Sequence, residues 1–127
     1  MARWRIKNVG MKGVAMAVPE NVVKTSDFDF FSQEEAEVFD NTVGIKRRHI
    51  APDNMCASDM CQAAAEKLLE ELGWERDSID VLLFESVTGD YRTPPTSCIL
   101  QDRLALSESC FCMDIPMGCC GCMYAIT

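Results

Sequence analysis

Eight cysteines lie along this chain of 127 residues, at positions 56, 61, 98, 110, 112, 119, 120 and 122. Cys119 has the setting that suits chemistry. It falls inside Met113-Asp-Ile-Pro-Met-Gly-Cys-Cys-Gly-Cys-Met-Tyr-Ala-Ile-Thr127, which reads as a buried strand, a Gly-Cys turn and the opening of an apolar helix. A strand–turn–helix with a cysteine at the bend is a plausible mount for a nucleophile. Gly118 would permit an unusual turn geometry. A sulfur at such a helix start faces unpaired backbone N–H groups and the positive end of the peptide dipoles, both of which favour thiolate over thiol. The same donors can hold developing charge on an attacked carbonyl. Inert packing is the competing role for Cys119 and the expected one for Cys120 and Cys122.

The other candidates are weaker. Cys112, Cys119, Cys120 and Cys122 lack the paired C-x2-C spacing of common zinc sites, so no metal site is expected. An even cysteine count suggests disulfides, yet Cys61 sits in an alanine-rich helical pattern, Cys98 precedes Ile-Leu, and Cys112 lies in an apparent strand. Small hydrophobic thiols in a reducing compartment fit these positions better. His49 is the only histidine; its neighbours Lys46, Arg47 and Arg48 disfavour a protonated partner for Cys119, and a loop or surface role is expected. Asp90 and Tyr91 could line a pocket through their loop, with ordinary turn roles as the alternative. Asp114 reads as a structural carboxylate or subunit contact rather than a catalytic acid.

The elements that must carry these residues follow from periodicity. Trp4 to Ala17 alternates apolar positions, with interruptions at Gly10 and Gly13, and predicts a bent strand or hairpin. Pro19-Glu20-Asn21 marks a turn. Ser26 to Phe31 is ambiguous. Ser32 and Glu35 have capping-box spacing before a helix from Gln33 to about Asn41, broken by Gly44. Ser58 is the expected cap of a helix from Asp59 to Leu72 that stops at Gly73. Its stripe is Met60, Ala64, Leu68 and Leu72, with Cys61, Ala65 and Leu69 beside them. Ile79 to Val87 reads as a strand covered on both faces. Gly89-Asp90-Tyr91 and Pro94-Pro95 form a loop, Thr96 to Leu104 a helix, and Cys110 to Ile115 another inner strand. This order predicts a layered α/β fold.

Composition narrows the function classes. The chain is 48% hydrophobic and 25% charged, as a globular domain is. Its net charge of −8, from 12 basic and 20 acidic residues, argues against a general nucleic-acid binder. Basic clusters at Arg3, Arg5, Lys7 and at Lys46, Arg47, Arg48 leave a local anion site open, with ordinary solvated charge as the alternative. No apolar run reaches the ~18 residues of a membrane span, and no secretory signal is visible. A cytoplasmic protein is expected.

Several segments, in order, resemble the N-terminal part of the beta-ketoacyl-acyl carrier protein synthase III group within the thiolase-like family. They are Gly13-Val-Ala-Met-Ala-Val-Pro-Glu20, Val43-Gly-Ile-Lys-Arg-Arg-His-Ile50, Asp80-Val-Leu-Leu-Phe84, Pro94-Pro-Thr-Ser-Cys-Ile-Leu-Gln101, and Met113 through Ala125 around Cys119. The resemblance runs through essentially the whole chain. It implies an α/β fold, the N-terminal half of a thiolase-like layered αβαβα architecture. Residues 1–127 would be a half-domain truncated just after the nucleophile segment. Cys119 would take an acyl group from an acyl thioester and condense it with a malonyl thioester with decarboxylation, its own N–H helping to form the oxyanion hole. The substrates implied are acyl-CoA or acyl-ACP and malonyl-ACP, in fatty acid biosynthesis. Acyl carrier protein is the implied partner and a homodimer the implied full-length state. No permanently bound cofactor is expected, and no cofactor-binding residue is assigned.

The pattern also departs from that group. The alanines common before the cysteine are Pro116, Met117 and Gly118 here, and the usual Ala-Gly-Phe after it is Cys120-Gly121-Cys122. Val38 and Thr42 stand near the positions of the Trp and Arg that commonly hold coenzyme A. These differences weigh against a simple acetyl-coenzyme A starter and leave a carrier-bound or longer acyl donor open. The histidine and asparagine that support decarboxylation in the family would lie beyond Thr127, so the isolated chain is expected to lack condensation activity. The competing class is a noncatalytic assembly fragment or half-subunit that requires a C-terminal partner.

Overall fold

The computed structural model describes residues 7–126, which divide into two compact units. Arg3, Trp4, Arg5 and Thr127, named above, lie outside the described residues.

The first unit holds residues 56–126 together with the segment up to Ala17. Its centre is a parallel pair, β3 (Val81–Glu85) and β4 (Phe111–Ile115), in the register Val81↔Phe111 through Glu85↔Ile115. (The earlier strands, β1 (Val22–Lys24) and β2 (Arg47–His49), belong to the other unit.) Parallel strands cannot be joined by a tight turn. Here the connection carries α3 (Thr96–Arg103), which packs on both strands, and α2 (Ala57–Leu72) lies against α3. Phe84, Leu100, Leu104, Leu106 and Cys110 form the buried core, with Ala65, Ile79 and Leu82 packed on it. Each such large side chain removed from water contributes about 1.5–3 kcal/mol before chain entropy is counted.

The strands expected at Ile79–Val87 and Cys110–Ile115 and the third helix are present, with ends shifted by a residue or two. The expectation that Ile79–Val87 is covered on both faces needs correction. Phe84 is buried, but Val81 and its neighbour in register Phe111 are more than half exposed, and Met113 is 43% exposed. These side chains share the outer face of the pair. The helix after Pro52-Asp53-Asn54 starts at Ala57, two residues earlier than expected. Cys56 is its cap residue, and the Asp59 carboxylate accepts from the Cys56 N–H at 2.7 Å. Ser58 is fully buried and bonds elsewhere. The helix stops at Gly73, in the left-handed conformation (φ 62°) that glycine adopts without a Cβ penalty. No ladder pairs the expected N-terminal strand among the described residues. In residues 13–18 the small Gly13, Ala15 and Ala17 are half-buried, while Val14, Met16 and Val18 point outward.

The second unit is residues 18–55. Two short strands, β1 (Val22–Lys24) and β2 (Arg47–His49), pair antiparallel with Val23 opposite Arg48. Between them a 3-10 turn (Thr25–Asp27) leads to α1 (Gln33–Val43). The capping box is present in full: Ser32 Oγ accepts from Glu35 N at 3.2 Å, and Glu35 accepts from Ser32 N at 2.9 Å. These bonds hold the Glu35 carboxyl below its ordinary pKa. Phe28, Phe30, Phe31 and Phe39 stack in sequence with ring centroids 4.8–5.3 Å apart. Arg48 lies over Phe28 and Phe39, 5.8 and 5.7 Å from their centroids, and donates to Thr25 Oγ1. The cation is therefore engaged by aromatic faces, so of the Lys46–Arg48 cluster Arg48 belongs to the unit's interior rather than to an anion site.

Candidate functional site

Cys119 stands four residues beyond the end of β4, in the turn that enters α4 (Gly121–Ala125). The turn is closed by Gly121 N donating to Gly118 O at 2.8 Å. Cys120, at its third position, has φ −94° and ψ −7°. Those are the angles of a type I turn, whose second position is also right-handed. The chain therefore passes from Cys119 into α4 in one right-handed sweep, continued by Met123 N and Tyr124 N donating to Cys120 O.

This geometry changes the role assigned to glycine. A type I turn needs no left-handed residue at its first position, and a Cβ on Gly118 would meet open space. Gly118 is thus not required for the bend. Gly121 is the constrained one. It is buried, and a Cβ there would sit 2.5 Å from Cγ and Cδ of Glu85, the last residue of β3. The start of α4 rests directly on that side chain. Glu85 carried no signal in the sequence, because it ends an apolar run and looks like an ordinary strand terminus.

Cys119, Cys120 and Cys122 are all exposed, and all eight cysteines are free thiols. The expectation that Cys120 and Cys122 are packing residues is therefore corrected: α4 is a short helix that turns them outward. Cys112 is different. Burial first, then Cys110, Cys98 and Asp114, push its thiol up to about 11, which makes it unreactive at neutral pH. Among the described residues no group of three or more His, Cys, Asp or Glu side chains is arranged to hold a metal.

The strand beneath the cysteine is anchored by Asp114. Its carboxylate accepts from Thr96 N at 2.7 Å and Ser97 N at 2.8 Å, the first two amides of α3. Pro95, in the cap position, makes no side-chain cap bond. Asp114 therefore caps α3 from the neighbouring strand, meeting donors that a helix leaves unpaired. Burial alone would raise this carboxyl; the Ser97 and Thr96 hydrogen bonds outweigh it and hold the pKa below the ordinary value. The structural reading of Asp114 stands.

Asp90 is likewise occupied. It accepts from Ser58 Oγ and Ser58 N, and its own N–H donates to Thr96 Oγ1 at 3.1 Å. Arg103 adds Nη1 bonds to Ser58 Oγ at 2.9 Å and Asp59 Oδ1 at 3.0 Å. This network ties α2, the 86–95 loop and α3 together around a fully buried serine. Tyr91 projects outward, 65% exposed. His49 is exposed on β2 and bonds Pro19 O through Nδ1. Ser58 and Arg103 were not singled out as site residues by sequence reasoning; only the polarity of Ser58 and the terminal position of Arg103 hinted at them.

No family model matches the chain. It is 35% identical over 117 residues to the beta-ketoacyl-[acyl-carrier-protein] synthase III of Geobacillus kaustophilus, covering 92% of this chain and 37% of that protein. The synthase III of Clostridium perfringens is 33% identical over 121 residues, 95% of this chain and 37% of its own length. Among solved structures, a 3-oxoacyl-(acyl-carrier protein) synthase from Burkholderia xenovorans LB400 superposes with TM-score 0.82 at 38% identity. That match covers 91% of this chain and 35% of the other. The synthase III of Aquifex aeolicus gives TM-score 0.79 at 27% identity, over 90% and 36%. The mixed α/β arrangement, helices flanking small sheets, is thus shared with these synthases. Over nearly all of the chain, and over 37–38% of each synthase III compared by sequence, the similarity is to beta-ketoacyl-[acyl-carrier-protein] synthase III.

Proposed function

We propose that the chain is the N-terminal part of a condensing enzyme resembling 3-oxoacyl-[acyl-carrier-protein] synthase III, and that Cys119 is its acyl acceptor. The observation that carries this reading is the 35% identity to a synthase III over 92% of the chain. The exposed sulfur on the turn after β4 supports the assignment to Cys119 rather than to the buried Cys110 or the unreactive Cys112. In the first step the Cys119 thiolate attacks the carbonyl of an acyl thioester. The carrier thiolate leaves, and an acyl-enzyme remains. In the second, a malonyl thioester loses carbon dioxide, its carbanion attacks the acyl-enzyme carbonyl, and the Cys119 thiolate departs. Acyl-CoA or acyl-ACP and malonyl-ACP are the substrates, acyl carrier protein is the partner, and the working form is a homodimeric cytoplasmic enzyme of layered αβαβα architecture. Residues 1–127 are its thiolase-like half-domain.

A second reading, an assembly half that requires a C-terminal partner, is favoured by one feature. Val81, Phe111 and Met113 on the sheet, with Met123 and Ile126 near α4, are 43–63% exposed. Apolar surface of that kind marks an interaction face.

The test is acylation under reducing conditions. The chain is incubated with a radiolabelled acyl thioester and the label is mapped by peptide mass. Label on Cys119, lost in Cys119→Ser, is expected. Label confined to other cysteines refutes the assignment.

A further inference from the structure

Cys119 and Cys122 stand three residues apart, a single Cys-x-x-Cys interval that the acyl-acceptor role does not use. The type I turn and the cap geometry of Cys120 carry right-handed backbone from one to the other. On a helix rising 1.5 Å per residue at ~2.3 Å radius, residues three apart have Cα atoms ~5 Å from each other. That separation lies within the ~4.4–6.8 Å span of disulfides. The alternatives fit less well. Cys119 and Cys120 are joined by a trans peptide, which sets their Cα atoms ~3.8 Å apart, short of that span. Cys120 and Cys122 are two apart and face different sides of the helix. All three side chains are exposed, so a small disulfide can reach them.

We propose that Cys119 and Cys122 form a dithiol that exchanges with low-molecular-weight disulfides and closes into an intramolecular Cys119–Cys122 bond. The Cys119 thiolate attacks one sulfur of oxidised glutathione; the glutathione S–S bond breaks and one glutathione thiolate leaves. The Cys122 thiolate then attacks the Cys119 sulfur of the mixed disulfide, expelling the second glutathione thiolate. Each glutathione thiolate takes up one proton released by the protein thiols. Two electrons pass from the protein sulfurs to the glutathione disulfide. The closed bond removes the sulfur that the preceding proposal assigns to acyl transfer, so the site is switched off by oxidation and restored by a thiol reductant. That consequence rests on the acyl-acceptor reading, whereas the exchange itself does not.

The chain is treated with oxidised glutathione, quenched with N-ethylmaleimide without reduction, and its C-terminal peptide is mapped by mass. The expected peptide carries maleimide on Cys120 alone and has lost a pair of hydrogens across Cys119 and Cys122. Cys120→Ser keeps that loss. Cys122→Ser stops at a glutathione adduct on Cys119. Full alkylation of Cys119 and Cys122 after treatment, closure through Cys120, or loss of the hydrogen pair in Cys122→Ser each overturns the proposal. Acyl labelling of the same samples separates the two readings. A reduced chain that takes no label counts against acyl transfer while leaving the mapped disulfide intact. A labelled chain that never closes the bond counts against the dithiol alone. With both correct, oxidation abolishes labelling and dithiothreitol restores it.

Discussion

Replacing Asp114 with alanine removes the acceptor for the first two amides of α3. The two bonds, at 2.7 and 2.8 Å, are short and charge-assisted. Hydrogen bonds to charged groups contribute about 1.5–3 kcal/mol each, part of which water restores at a half-buried site, so a net loss of about 3 kcal/mol is expected. Asp114→Asn keeps one acceptor oxygen without the charge and should lose about half as much. Urea unfolding measures both, with the loss appearing as a lower midpoint at unchanged slope. Amide exchange locates it: Thr96 and Ser97 should lose protection while the amides paired between β3 and β4 keep theirs. The pH dependence has a fixed sign. Because the folded pKa is depressed, the contribution is present above the ordinary carboxylate value of about 4 and fades as pH falls through the folded value. The gap between wild type and Asp114→Asn should therefore be constant from neutral pH down to about pH 5 and narrow in stronger acid. An alanine variant within about 0.5 kcal/mol of wild type, or undiminished protection at Thr96 and Ser97, would refute the capping argument.

Gly121→Ala should destabilise the chain by about 1–3 kcal/mol, since its Cβ meets the Glu85 stem. Adding Glu85→Ala should recover most of that loss, and a double-mutant cycle in urea with no coupling would count against the contact. Asp90→Ala leaves the buried Ser58 O–H without its acceptor, although Arg103 still donates to Ser58 Oγ, and should cost about 2 kcal/mol. Ser58→Ala made on top of it should add little, and fully additive losses would mean the two residues act separately.

Much of the fold was legible because apolar runs and punctuation agree. Val81-Leu-Leu-Phe84 between polar residues, and the helix that ends at Gly73, each combine a periodic pattern with a local stop. The short pair β1 and β2 was not legible. Each strand has only three residues, too few to show a period, and Arg48 points inward through its cation–π contacts in defiance of polarity. The cap of α2 was misread for a related reason. Ser58 has the better capping chemistry, but tertiary partners Asp90 and Arg103 claim its hydroxyl, so the helix begins earlier. At the candidate site the cysteine and the strand before it could be read, while Glu85 could not. Its relation to Gly121 depends on the parallel register that brings the ends of β3 and β4 together.

That register explains how a short turn can present a sulfur reproducibly. The first link holds β4 to α3 through Asp114, five residues before Cys119. A second seats α4 on Glu85 through Gly121, two residues after it. Between the links the Gly118–Gly121 hydrogen bond closes the turn. A loop pinned on both sides loses less conformational freedom when a substrate or a disulfide partner engages it, because most of that entropy is already spent in folding. Loosening either link should therefore slow every reaction of Cys119 that demands a fixed geometry, including closure onto Cys122. Simple alkylation by a small maleimide, which accepts many approach angles, should change little. A variant at Asp114 or Gly121 that remains folded yet shows equal effects on both reactions would break the connection between this framework and the chemistry of the turn.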